Sequence, residues 1–246
     1  MTSLAIGNDI VDLAEPGAAG KARDRRFMDR VFTAEERACI LGALSPALAV
    51  WKTWAAKETA YKIASKVRGK VVFAHRAFEV EPGAAGTAGG WGRVRFDGLD
   101  IRVRWETARD YVHCVGQLIQ HRPGDAAASP HEPRPVHSAI VHHGQLLSGT
   151  LSAAERASVH STPSARARLV ARRLFERLGL QGVEVLRHWR ERGWGPPVAA
   201  IGGEMLPGFD VSLSHDGRFV AAAVAGAAQG SGFLRRGRGD PITGVR

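Results

Sequence analysis

Only two cysteines, Cys39 and Cys114, occur in 246 residues, too few for a disulfide framework and without metal-ligand spacing, so both read as reduced and partly buried rather than as nucleophiles. Long apolar runs are missing too. Nothing approaches the roughly 18 consecutive apolar residues of a membrane span, and the start Met1-Thr2-Ser3-Leu4 lacks the basic and apolar regions of a secretory leader, giving an expectation of a cytoplasmic protein with no membrane partner. Acids are the scarcer charge: 24 Asp and Glu against 34 Lys and Arg leave a formal charge of +10. That excess favours an acidic partner, which could be nucleic acid, a polyphosphorylated small molecule or an acidic protein.

What is present divides the chain in two. Residues 121–135 are rich in Pro and Ala without periodicity, which predicts a linker over 123–136 between a first part, 1–122, and a second, 137–227. A Gly- and Arg-rich tail over 228–246 reads as disordered. The first part opens with a strand through Gly7, Asp9 and Val11. By the two-residue period Asp9 faces with Ala5, Gly7 and Val11, and Asp12 points the other way. Thr33 with Glu36 forms a capping box. Ser45-Pro46 starts a helix that runs to about Lys66 and stops at Gly69. Short strands are expected at 71–73 and 78–80, a hairpin turns at Asp97-Gly98, and 111–118 is a further strand carrying His113 on its face. The second part repeats the pattern: a strand near 139–141, a capping box at Ser152 and Glu155, a helix from Ala165 to Leu178 capped by Ser164, a strand at 183–186, a basic Gly-Pro-Pro turn over 190–197, and a hairpin around His215 to Arg218. In that helix Leu169, Val170, Leu174 and Leu178 form the expected buried side and the arginines the solvent side. The histidines His137, His142 and His143 read as surface or edge-strand residues. Two similar α+β halves packed as an intramolecular pseudo-dimer are the expected architecture.

The helix through Trp51 to Lys66 carries the chemistry. At about 100° per residue, Leu48, Trp51, Ala55, Glu58 and Lys62 share one stripe, so an apolar face runs into a carboxylate and an ammonium. Either these form an exposed i, i+4 pair, or they meet a metal ion or a phosphate that offsets their desolvation.

Four motifs together give a resemblance. Gly7-Asn8-Asp9-Ile10, then Phe32 with Glu36, then Trp54-Ala55-Ala56-Lys57-Glu58-Thr59-Ala60-Tyr61-Lys62, followed by Ser214-His215, resemble the 4'-phosphopantetheinyl transferase superfamily. The resemblance implies transfer of the 4'-phosphopantetheine group from coenzyme A to a serine of an apo acyl or peptidyl carrier protein, leaving 3',5'-ADP. It implies Mg2+, with Mn2+ as a substitute, held by Asp9 and Glu58; a water takes the place of the third acid, because Val11 stands there. Glu58 would serve as general base and Lys62 would bind the pyrophosphate, while Lys57, Ser214, His215, Arg168, Arg172 and Arg192 would contact the phosphates of coenzyme A. Compared with the long, surfactin-synthetase-activating type the halves stand in reversed order, and the chain is expected to work as a monomer. A nucleic-acid-binding module would explain the charge but not Asp9, Glu58 and Ser214-His215. A carrier-binding scaffold without activity would not need Asp9, Glu58 and Lys62.

Overall fold

The computed structural model describes residues 4–81, 90–119, 134–190 and 193–226. Its first half runs β1 (Ile6–Asp12), α1 (Arg25–Val31), α2 (Ala34–Leu41), α3 (Pro46–Arg68), β2 (Glu79–Glu81), β3 (Trp91–Phe96), β4 (Leu99–Thr107) and β5 (Tyr111–Leu118). The second half runs β6 (Val136–His142), α4 (Ala153–Arg156), α5 (Thr162–Arg177), β7 (Val183–Arg190), β8 (Gly193–Ile201), β9 (Glu204–Met205), β10 (Phe209–Asp216) and β11 (Phe219–Gly226). No helix among the described residues is long and apolar enough to cross a membrane.

Local chemistry explains the boundaries. The Ser45 hydroxyl accepts from the Leu48 N–H at the start of α3, Pro46 occupies its first turn, and Gly69 ends it at φ 77°, a conformation that costs a residue with a Cβ. Asp97 and Gly98, at φ 45° and 72°, close the β3–β4 hairpin with the left-handed geometry of a two-residue turn.

The halves share one frame. Five antiparallel strands are ordered β1-β5-β4-β3-β2, three more β10-β11-β6, and a third sheet is β7-β8-β9. In each half the first strand pairs with the last, Asp9 opposite Cys114 and Ala139 opposite Ala222, and the last pairs with the one before it. Each half also builds the same clamp from its capping box. Glu36 accepts from the Thr33 N–H at 2.9 Å and the Val80 N–H at 2.7 Å, and Glu155 from the Ser152 and Val185 N–H groups, both at 2.9 Å. Helix α3 covers the five-stranded sheet with Ala56, Ala60 and Ile63 against Ile101, Val103 and Cys114. Helix α5 does the same over β10 and β11 with Val170, Ala171 and Leu174 against Val211, Ala222 and Val224. The fold is α+β with two similar halves.

A seam joins the halves along β1. Ile6 packs on Ala223 and Ala225, and Ile10 on Phe219 and Ala221, the alanines allowing close backbone approach. Side chains of β10 cap the amides of β1: Asp210 accepts from the Ile6 N–H at 2.7 Å, Ser212 from Asn8 at 2.9 Å and Asp216 from Asp12 at 2.8 Å. On the other side of β1, Gly7 lets α3 approach so closely that a Cβ would stand 2.4 Å from the Thr59 carbonyl oxygen.

Several expectations are corrected. Residues 71–73 form no strand; Phe73 instead stacks on Tyr61 at 4.7 Å. Helix α5 starts at Thr162 and its cap is Ser161, not Ser164. Its buried face holds Ala167, Arg168, Val170, Ala171, Leu174 and Phe175, so Leu169 is replaced there by an arginine whose charge is fully hydrogen-bonded. The segment around Gly195-Pro196-Pro197 is strand β8 rather than a turn. Cys39 is exposed, while Cys114 is buried. Of the expected linker 123–136, residues 134–136 are described and Val136 already belongs to β6; the tail 228–246 lies outside the described residues.

Candidate active site

On the α3 side of β1 the Asp9 carboxylate lies 2.9 Å from Lys62 Nζ, with side chains 13% and 27% exposed. Lys62 also donates to the Asn8 carbonyl at 2.8 Å. Glu58 stands one turn before Lys62 and makes no hydrogen bond among the described residues. Burial pushes both acids up, and the ammonium of Lys62 only partly counters this at Asp9. Glu58, raised first by burial and then by the Asp9 carboxylate, reaches about 7. Two half-sheltered acids share one lysine, an arrangement that favours a further cation or a proton. Among the described residues no three ligating side chains converge. Two carboxylates with water and substrate oxygens are, however, a donor set of the kind Mg2+ takes.

Asp9 and Lys62 open into a cleft of about 960 Å³ between the halves, whose far wall carries His160, Arg187, Trp194, Ser214 and His215. The rings of His160 and His215 are 6.1 Å apart. Burial holds His215 below its ordinary value, and His160 and Lys62 add to that. The cleft thus has Asp9 and Lys62 at one side, and histidines and an arginine at the other.

Three buried or half-buried lysines of α3 differ in how many of their three N–H donors remain free. Lys57 has none to offer. It is fully buried, 2.8 Å from Glu36, and donates also to the carbonyls of His75 at 3.0 Å and Phe78 at 2.5 Å. Lys66 is likewise satisfied by the Ile6 and Val211 carbonyls and Asp210. Lys62, with two acceptors, keeps one donor for a ligand.

The geometry therefore brings together Asp9, Glu58 and Lys62, with Ser214 and His215 across the cleft. It departs from the sequence expectation elsewhere. Lys57 is a structural clamp and not a phosphate ligand, because its donors are used inside the first half. Arg168 lines the cleft, yet is 1% exposed and spends its donors on Val185, Ser164 and Ser158. Arg172 donates to the Thr150 carbonyl at 2.8 Å and faces Glu155 at 3.4 Å, away from the cleft. The Ser214 hydroxyl is turned into the seam, where it accepts from Asn8 at 2.9 Å. Arg192 lies outside the described residues. Sequence reasoning did not single out Lys66, His160, Arg187 or Trp194. Lys66 had a signal, standing one turn beyond Lys62, whereas the other three reach the cleft only through the tertiary packing.

Residues 5–115, which hold Asp9, Glu58 and Lys62, match the family model of the 4'-phosphopantetheinyl transferase superfamily. That match is a similarity of the first half, and it covers somewhat under half of the chain. Among solved structures, the apo-ACPS structure of Chronobacterium ammoiniagenes shares 20% identity at a TM-score of 0.38, covering 47% of this chain and 96% of its own. The Chronobacterium ammoniagenes ACPS-CoA complex shares 22% at 0.39, covering 49% and 100%. The holo-[acyl-carrier-protein] synthase of Neisseria meningitidis shares 20% at 0.37, covering 47% and 98%. Among curated proteins nothing matches the chain. Ser214 and His215 lie beyond the segment that the superfamily's model matches.

Proposed function

We propose that this chain transfers the 4'-phosphopantetheine group of coenzyme A to a serine hydroxyl of an apo carrier protein, releasing 3',5'-ADP. The observation that carries the reading is that Asp9 and Lys62, with Glu58 near enough to feel both charges, line an inter-half cleft together with His215. The match of residues 5–115 to the superfamily's model supports it.

In this reading coenzyme A lies along the cleft with its 3'-phosphate toward His215 and Arg187 and its pyrophosphate toward Lys62. Asp9 and Glu58 would hold Mg2+ or Mn2+, which neutralises pyrophosphate charge as the transfer proceeds. The serine oxygen attacks the phosphorus next to the pantetheine arm, the bond from that phosphorus to the bridging oxygen breaks, and 3',5'-ADP departs with the negative charge. Glu58, whose carboxylate makes no hydrogen bond among the described residues, has an oxygen left to accept the serine proton. The third N–H of Lys62 meets the oxygen that gains charge on the leaving group. The formal charge of +10 suits an acidic carrier. The halves act as one permuted unit in a monomer, because the first half supplies the acids and the second the histidines.

The test incubates the chain with coenzyme A, Mg2+ and apo acyl, aryl and peptidyl carriers, reading carrier mass. Gain of the phosphopantetheine mass is expected, and no gain on any carrier would refute the reading. Glu58→Gln is expected to lower transfer by at least ~100-fold with an unchanged melting temperature.

A further inference from the structure

We infer that Asn8, assigned no part in the proposed transfer, is the positioning residue that sets the distance between the two ends of the cleft. The inference rests on that proposed reading of the cleft. Asn8 is 0% exposed and bonds to three elements at once. Its carbonyl accepts from Lys62 of α3 at 2.8 Å. Its N–H donates to Ser212 of β10 at 2.9 Å, and its side-chain amide donates to Ser214 of the same strand at 2.9 Å. The amide nitrogen also stands 3.3 Å from His113 Nε2 on β5, a ring kept neutral by burial, its pKa held down to about 3.

Alternation along a strand gives this contact its meaning. Asn8 lies outside the cleft and holds Ser214, a residue of its wall, while the next residues on the two strands, Asp9 and His215, both line it. That bond therefore fixes the gap between the groups that would meet the pyrophosphate and those that would meet the 3'-phosphate. The neighbours on the same face, Ile6 and Ile10, pack into apolar clusters, and the Asn8 side-chain oxygen is buried without a partner, a cost that a leucine would not incur. Asn8 keeps that cost because Ser214 depends on its donor.

The experiment measures binding of coenzyme A and of 3'-dephospho-coenzyme A by calorimetry, and KM and kcat for both, in the full chain carrying Asn8→Leu, Asn8→Ala or Asn8→Ser. Asn8→Leu leaves Ser214 and His113 without that donor and is expected to melt somewhat below the parent while weakening coenzyme A roughly five- to tenfold, the worth of one neutral hydrogen bond to a ligand-positioning group. Binding of 3'-dephospho-coenzyme A should change less than about twofold, so the preference for the 3'-phosphate shrinks by nearly the whole factor. Asn8→Ser, which keeps a short donor, should recover part of it. If Asn8→Leu does not fold, Asn8→Ala reads the same preference. A folded variant that retains the parent preference overturns the inference. A parent chain that binds neither compound and modifies no carrier overturns the proposed function instead.

Discussion

Replacing Asp12 by asparagine should loosen the seam by an amount that depends on pH in a defined way. The Asp12 side chain is 1% exposed and meets Arg218 in a fork, Nη2 to Oδ1 at 2.7 Å and Nε to Oδ2 at 2.8 Å. The N–H groups of Arg218 and Ala14 donate to it as well, both at 2.9 Å. The Arg218 hydrogen bonds outweigh burial and bring the carboxyl from 3.8 down to about 2. A depressed carboxyl contributes stability above its unfolded value and loses it as pH falls through the folded one. The shift corresponds to about 2 kcal/mol at neutral pH, of which roughly half is gone by pH 3 and most by pH 2. Urea unfolding of parent and Asp12→Asn chains at pH 7, 5, 4 and 3 tests this. A gap of at least about 2 kcal/mol at pH 7 should narrow by about 1 kcal/mol toward pH 3. A gap that stays constant across this range, or is below about 0.5 kcal/mol at pH 7, would refute the assignment of Asp12 and Arg218 as the ionic tie between the halves.

The lysines of α3 should separate cleanly. Lys57→Met strands Glu36, which is 5% exposed, and should cost about 3–5 kcal/mol in thermal or chemical unfolding, whereas Lys62→Met should leave the melting temperature within a few degrees and abolish carrier modification. Gly7→Ala would drive a methyl to 2.4 Å from the Thr59 backbone oxygen; a loss of about 1–3 kcal/mol is expected in urea unfolding. Because Thr59 follows Glu58, transfer should also fall by more than tenfold. A Gly7→Ala chain with parent stability would mean that α3 does not lie where these distances place it.

Sequence patterns exposed the local devices well and the long-range ones poorly. Both capping boxes, Thr33 with Glu36 and Ser152 with Glu155, and the Asp97-Gly98 turn stand where their spacing puts them, because each is decided within four residues. The stripe that put Glu58 and Lys62 together is also local, and the period of β1 correctly set Asp9 against Asp12. Arg168 and Lys57 were not legible, since what neutralises them comes from far along the chain: Val185 and Ser158 for one, Glu36 and Phe78 for the other. An amphipathic reading places every arginine toward solvent; here one guanidinium is worth burying because each of its N–H groups finds an acceptor. Pro196 and Pro197 suggested a turn, but β9 pairs only with Ala200 and Ile201 of β8, so the prolines sit where β8 has no second neighbour and need no N–H.

The repeated frame explains why the sheltered acids come from one half only among the described residues. Each long helix buries a cation against its own half, Lys57 in α3 and Arg168 in α5. The residue after that cation is Glu58 in the first half and Leu169 in the second, and five residues after it stand Lys62 and Arg173. Arg173 is occupied with the Ser148 hydroxyl at 2.9 Å. Strand β6, the counterpart of β1, reads Val-His-Ser-Ala-Ile-Val-His and carries no acid. A second pair of sheltered carboxylates would have to be desolvated without doing chemistry, and such a pair is destabilising unless a cation always fills it. The second half instead turns β10 toward β1, which brings His215 into the cleft that Asp9 lines. The seam through Asn8, Asp12 and Lys66 is then where the stability of the fold and the spacing of the site are set by the same hydrogen bonds.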